Sequence, residues 1–255
     1  MNSKKLILAV VLAFSVVTYG QKTWTITKAT STKISIDSTT AKLADKSYEA
    51  YLAPIKKQLG AKMNVVIGVA AETMRGNGPE SLLSNWNADV YFQAASKYLG
   101  KPVDLSIVNL GGLRTVIPTG NITVGKIYEL MPFENELVIL WLKGSKLAEL
   151  TQFFAKVGGE GVSGIRMEIK NGKAENVTVN GSLIDPEKIY TIATSDYLAG
   201  GNDKMIQLAQ YEKRQNTNLK LRDILLESVK QETARGNKIQ ATLDGRIRPL
   251  TPKGE

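Results

Sequence analysis

The sequence predicts an α+β fold, one domain with a mixed β-sheet and packed helices, and three observations lead there. Short runs rich in Val, Ile and Leu, at Met63 to Ala71, Val103 to Asn109, Glu136 to Leu142 and Ile189 to Thr194, have the length of strands. Other stretches carry apolar residues at helical spacing, as at Leu83, Val90, Ala94 and Tyr98, or at Leu147, Leu150, Phe153 and Phe154. The two kinds intermix without the strict strand–helix–strand alternation of a doubly wound sheet.

Taken in order, Trp24 to Thr27 and Lys33 to Ile36 alternate like the strands of a leader hairpin. Thr40 to Leu59 reads as a helix with Gly60 just past its end. Met63 to Ala71 is a strand. Pro79 and Glu80 open the next helix, since both residue types suit a first turn, and Gly100 ends it. Val103 to Asn109 is a strand feeding a Gly-Gly loop. Val124 to Leu130 is a short helix, Glu136 to Leu142 a strand, and Gly144 to Val157 a helix. Ile165 to Lys170 and Lys173 to Val179 form a hairpin on the Asn171-Gly172 turn. Asn180-Gly181 turns the chain again. Ile189 to Thr194 is a strand, Leu219 to Thr233 a helix, and Gln240 to Ile247 a last strand.

The first 20 residues read as a signal peptide. Lys4 and Lys5 form the basic end, Leu6 to Val17 the apolar run, and Thr18 and Gly20 the small residues before a cut at Gln21. An uncleaved anchor is the alternative. The expected location is therefore periplasmic or secreted, with no stable membrane anchor after cleavage. Residues 21–60 are read as a leader segment and 61–250 as the domain.

The chain has no Cys, so an exported form gains no disulfides and relies on its core. The net charge is +9. Lys and Arg are scattered, with no basic run and no interleaved aromatics, which argues against nucleic acid as a partner. The chain also has no His. That excludes Ser–His and Cys–His nucleophile pairs and any His-based metal centre. Gly159-Glu160-Gly161-Val162-Ser163-Gly164 matches the dinucleotide fingerprint, but a helix precedes it and a strand follows, the reverse of what that site needs.

One stretch concentrates binding chemistry. Asn109-x-Gly111-Gly112-x-Arg114 follows an apolar strand, and Pro132-Phe133-x-Asn135 follows soon after. The glycines let the backbone turn tightly or approach a ligand. An Arg, two Asn and an aromatic suit a flat, polar, anionic small molecule. Phe133 has two readings: a core aromatic, as Phe usually is, or a pocket aromatic. Its place between Pro132 and Glu134-x-Glu136 weakens the core reading.

Two further blocks stand in order around that stretch: Glu80-Ser81-Leu82-Leu83-Ser84-Asn85-Trp86-Asn87-Ala88-Asp89, and Ala193-Thr194-Ser195-Asp196-Tyr197-Leu198-Ala199-Gly200-Gly201-Asn202-Asp203. Together the four motifs resemble the C-terminal, substrate-binding domain of the 5′-nucleotidase family, over roughly Val65 to Pro249. The resemblance implies a nucleotide or nucleoside ligand. It makes Phe133 and Tyr197 a pair stacking on the base and Asn135 a reader of the base edge. Asp203 would hold the ribose hydroxyls, with Asn202 as the fallback, because Gly200-Gly201-Asn202-Asp203-Lys204 departs from the usual Gly-Gly-Asp-Gly. Arg114 and Asn109 would face the ribose–phosphate side. Arg75 is matched, out of register, to a family arginine, and Gly159 to a glycine beside the base pocket.

In that family a metallophosphatase domain supplies catalysis, through Asp-x-His and Asn-His-Asp/Glu segments absent from this sequence. The expectation is thus no catalytic residue and no cofactor here, with divalent metals only on a metallophosphatase partner chain. The expected function is the nucleotide-recognising part of a periplasmic 5′-nucleotidase in nucleotide catabolism. The alternatives are a nucleoside- or nucleotide-binding protein for uptake and a non-catalytic interaction domain.

Overall fold

A computed structural model describes residues 24–37, 39, 40 and 44–250, so the proposed signal peptide lies outside the described residues. The chain divides into two units, Met1–Leu52 and Ala53–Glu255.

In the first unit the expected leader hairpin does not form. Residues 24–36 contain no strand, and Trp24, Ile26, Ile34 and Ile36 are exposed. Two short strands with nothing to cover their apolar face do not hold together. Helix α1 runs Lys46–Met63, later than the expected Thr40 to Leu59. The Asp45 carboxylate caps its start by accepting the Ser47 N–H at 2.8 Å. Gly60 falls inside the helix, where a glycine costs about 1 kcal/mol without ending it.

The second unit contains β1 (Val66–Ala70), α2 (Leu82–Leu99), β2 (Leu105–Val108), β3 (Gly120–Thr123), α3 (Val124–Leu130) and β4 (Glu136–Lys143). Then come α4 (Gly144–Val157), β5 (Gly161–Ser163), β6 (Ile165–Lys170), β7 (Lys173–Val179), β8 (Ser182–Leu183) and β9 (Ile189–Ser195). The last of the described elements are α5 (Asp196–Ala199), β10 (Lys213–Lys220), α6 (Leu221–Ala234) and β11 (Ile247–Pro249).

A five-stranded sheet in the order β10-β4-β9-β2-β5 organises the unit. β9 runs parallel to β2 and antiparallel to β4. The strands are mixed in direction, as an α+β fold requires. Along β4 the side chains alternate between two cores. Val138, Leu140 and Leu142 pack with Leu147, Leu150 and Phe154 of α4. Leu137 and Ile139 pack with Leu83, Trp86 and Tyr91 of α2 and Leu225 and Val229 of α6. β1 pairs with β3, and β11, β6, β7 and β8 form a second mixed sheet.

Three expectations are corrected. Helix α2 begins after Ser81 rather than at Pro79. The Ser81 hydroxyl accepts the Ser84 N–H, and the Ser84 hydroxyl accepts the Ser81 N–H, a capping box. The Leu219 to Thr233 helix begins at Leu221, because Lys213–Lys220 pairs with β4 as the edge strand β10. The last strand is Ile247–Pro249, parallel to β6, and not Gln240 to Ile247.

Candidate functional site

The sheet brings its site together at one end. β2 and β9 are parallel and finish there, while antiparallel β4 starts there, with Leu137 opposite Ser195. The residue after β2 is Asn109, the residue before β4 is Asn135, and Tyr197 follows β9. Segments remote in sequence are therefore neighbours.

A cavity of about 360 Å³ opens at this end, within the range of small-molecule sites. Asn109, Arg114, Phe133, Asn135, Tyr197 and Asp203 all line it. Phe133 and Tyr197 are each 41% exposed. That is far from the near-zero exposure of the core aromatics Tyr91 and Phe154, so neither ring is spent on the core.

The polar side is tied together by side-chain hydrogen bonds. Asn109 Nδ2 donates to Asp203 Oδ2 at 2.6 Å, and the Tyr197 hydroxyl donates to Asp203 Oδ1 at 2.8 Å. The bond to Asp203, then burial and the Asp203 charge, raise the Tyr197 hydroxyl above its ordinary pKa. An ionised carboxylate accepts about four hydrogen bonds, so both oxygens of Asp203 keep capacity for a ligand hydroxyl. Asp203 has φ +53° and Lys204 φ +65°. The chain thus makes its left-handed turn without the glycine usual in the family, at a cost of about 1–2 kcal/mol per residue. Asn202 points elsewhere: its Nδ2 donates to the Tyr197 carbonyl at 2.7 Å.

The Gly-Gly loop folds as a 3₁₀ turn over Leu110–Gly112. A Cβ on Gly112 would lie 2.8 Å from Asn109 Oδ1 and would push that side chain from its place. Arg114 Nη1 donates to the Gly111 carbonyl at 3.0 Å, and the Arg114 N–H to the Leu130 carbonyl at 3.0 Å.

Arg75 and Gly159 do not line the cavity. Met74 exchanges two backbone bonds with Ile117, and the next residue, Arg75, is exposed. Gly159 has φ +111°, and a Cβ on it would lie 2.4 Å from the Pro79 carbonyl oxygen. It is a glycine for backbone packing.

Two residues not singled out in the sequence brace the loops of the site without lining the cavity. Arg222, on α6, is buried. Its guanidinium lies 4.1 Å from the Tyr128 ring centre and pairs with Glu134. It also donates to the carbonyls of Met131 at 3.4 Å and Phe133 at 3.2 Å. The N–H of Leu221 donates to the Asn135 carbonyl at 3.0 Å, and Lys220 Nζ to the Glu134 carbonyl at 3.0 Å. The start of α6 therefore grips the loop that presents Phe133. A signal existed: Arg222 falls in register with the buried Leu225 and Val229, a charge on an apolar face. Glu160 is the second. Its Oε2 accepts the Leu110 N–H at 2.7 Å. Burial and, less, the Asp203 charge push Glu160 up to about 7 in all, against the pull of that N–H.

The Glu80 to Asp89 block has another task. Glu80 Oε1 accepts from Asn85 Nδ2 at 2.7 Å and from the Asp244 N–H at 2.9 Å. The buried Arg246 forks onto both oxygens of Asp89, at 2.8 and 3.1 Å. The block ties the end of the chain to α2 and lines no part of this cavity. Among the described residues, no group of three His, Cys, Asp or Glu side chains is placed to hold a metal ion. The described residues thus do not fit the metal centre that the resemblance assigns to a metallophosphatase domain.

Fold and site together define an α+β ligand-binding domain whose cavity is lined by two half-exposed aromatics and a carboxylate. The profile of the 5′-nucleotidase C-terminal domain matches residues 62–210, and the chain belongs to that family. It is 30% identical over 168 residues to protein UshA of Yersinia enterocolitica, covering 62% of this chain and 30% of that one. It is 31% identical over 149 residues to the NAD 5′-nucleotidase of Haemophilus influenzae, covering 50% of this chain and 24% of that one. Among solved structures it is similar to the 5′-nucleotidase precursor of Thermus thermophilus, with a TM-score of 0.68 and 29% identity, over 81% of this chain and 43% of that one. The chain thus spans less than half the length of each of these relatives.

Proposed function

We propose that the cavity binds a nucleoside or nucleotide, as the recognition part of a periplasmic or secreted 5′-nucleotidase. The observation that carries this reading is the joint placement of Phe133, Tyr197 and Asp203 around one cavity. Aromatic rings with 41% of their surface exposed have faces free for a planar base, and a doubly braced carboxylate accepts from vicinal ribose hydroxyls. Asn135 offers an amide that both donates and accepts at a base edge. Arg114 is exposed beside the Gly-Gly turn and takes the phosphate side.

These residues bind and orient. Divalent metals and the attacking water belong to a metallophosphatase outside these 255 residues, and the two together convert nucleotides to nucleosides and phosphate. Calorimetric titration with adenosine and AMP tests the binding. A phosphatase assay with and without an added metallophosphatase chain tests the division of labour. Expected are binding of both ligands by this chain alone and AMP hydrolysis only in the mixture. No binding of either ligand refutes the reading, and metal-dependent hydrolysis by this chain alone refutes the division.

A further inference from the structure

The buried residues that line the cavity form its floor, and most of them are apolar: Ile107, Val108, Met131 and Leu221. Tyr91 of α2 lines the cavity with them and is 1% exposed. It belongs to the hydrophobic core that α2 and α6 share with the sheet. Its hydroxyl, however, has no hydrogen-bond partner among the described residues. Asn87 Oδ1, one helical turn earlier, is unpartnered as well, so the two are not bonded to each other. A buried hydroxyl without a partner is destabilising, and native folds keep few of them. This one borders a ligand cavity. A polar ligand group can bond it without first breaking a bond inside the protein.

The placement of the other lining residues decides which part of a ligand comes to it. Phe133 and Tyr197 are each 41% exposed, and Asp203 is exposed, so all three stand on the solvent side of the cavity. A base stacked on the two rings, with its ribose at Asp203, turns the edge farthest from the sugar toward the floor. In a purine that edge carries the exocyclic group at carbon 6. Met131 shares the floor, and a methionine side chain is unbranched and yields to an arriving ring.

We propose that Tyr91 is a specificity-determining residue of this cavity: its hydroxyl bonds the inner edge of a nucleobase, so that bases with an amino or carbonyl group on that edge are preferred to bases without one. The inference rests on the nucleoside reading above. A phenol both donates and accepts, so it serves either group. A base with only hydrogen at that place leaves the hydroxyl unpartnered in apolar surroundings. Sites built to hydrogen-bond a ligand group reject the analogue that lacks it.

Adenosine and purine riboside, which has hydrogen in place of the amino group, are the probes. Calorimetric titration of the wild type should show adenosine binding at least about fivefold tighter than purine riboside, the effect of one buried hydrogen bond. Tyr91→Phe keeps the ring and deletes the hydroxyl. It should weaken adenosine at least about fivefold and leave purine riboside within about twofold, so that the preference collapses. Equal binding of the two nucleosides by the wild type, or a preference that survives in Tyr91→Phe, overturns the proposal.

A thermal melt without ligand adds a readout that a structural hydroxyl would move the other way. Removing an unpartnered hydroxyl from an apolar site is neutral or stabilising. The variant should therefore melt no lower than the wild type, and up to about 4 °C higher. A lower melting temperature means that the hydroxyl is bonded within the protein, and overturns the proposal. The two layers of inference fail differently. Binding of neither nucleoside to the wild type overturns the nucleoside reading and the role of Tyr91 with it. Binding of both, with affinities that Tyr91→Phe does not change, overturns the role of Tyr91 alone.

Discussion

Replacing Phe133 by alanine separates two roles that one ring can have. A phenylalanine fully inside a core loses about 3–5 kcal/mol of stability on truncation. For a domain of this size that is a fall of roughly 6–20 °C in melting temperature. Phe133 keeps 41% of its surface exposed, whereas Phe154 keeps none. Scaling the roughly 1.5–3 kcal/mol of a fully buried side chain by the buried part leaves about 1–2 kcal/mol, or roughly 2–8 °C. Loss of a stacking face costs a bound base about 1–3 kcal/mol, which is about 5- to 150-fold in affinity. Calorimetric titration with adenosine and a thermal melt on the same Phe133→Ala protein read both quantities, with Phe154→Ala as the core control. An unchanged affinity together with a melting temperature as low as the control's would refute the stacking role.

Other outcomes follow from the same contacts. Tyr197→Phe retains the ring but removes the donor to Asp203 Oδ1. It should weaken adenosine by about 2- to 10-fold, the worth of one hydrogen bond, and Tyr197→Ala should weaken it further in the same titration. Arg222→Met strips the loop carbonyls of their donor. A loss of roughly 1–3 kcal/mol in denaturant unfolding is expected, with weaker adenosine binding because Phe133 is no longer held. Gly159→Ala puts a Cβ 2.4 Å from a backbone oxygen at φ +111°. It should destabilise the domain by at least about 2 kcal/mol, measured by urea titration.

Much of the site was legible because its residues flank glycines or prolines at strand ends, where side-chain type alone is informative. Asn109, Arg114, Phe133 and Asn135 could be marked for that reason, and all four line the cavity. The helices Val124–Leu130 and Gly144–Val157 and the hairpin on Asn171-Gly172 have the bounds their periodicity implies. β10 was hidden because Lys213-Arg214-Gln215-Asn216-Thr217-Asn218 is polar throughout. An edge strand pairs through its backbone and needs no apolar face, so its sequence carries little strand signal. Arg75 and Gly159 were placed by resemblance; neither lines the cavity, Arg75 is exposed, and the neighbouring Pro79 backbone fills the space a side chain at Gly159 would need. Glu160 and Arg222 act through backbone groups of distant segments, and the one local sign of this was the charge of Arg222 on an apolar helix face.

Asn109 and Asp203 lie 94 residues apart in the chain, yet a 2.6 Å bond joins them. The bond spans the ends of strands that become neighbours only when β9 has entered the sheet between β2 and β4. A chain still emerging from a ribosome or a translocation pore has no such neighbourhood, and so offers a ligand nothing to grip. The ligand then acts late in the life of the molecule. It slows unravelling of the finished sheet rather than hastening its assembly. At a roughly hundredfold excess over Kd it adds about 2.7 kcal/mol against complete unfolding. Surroundings rich in that ligand would hold more of the protein in its intact form, independently of any turnover.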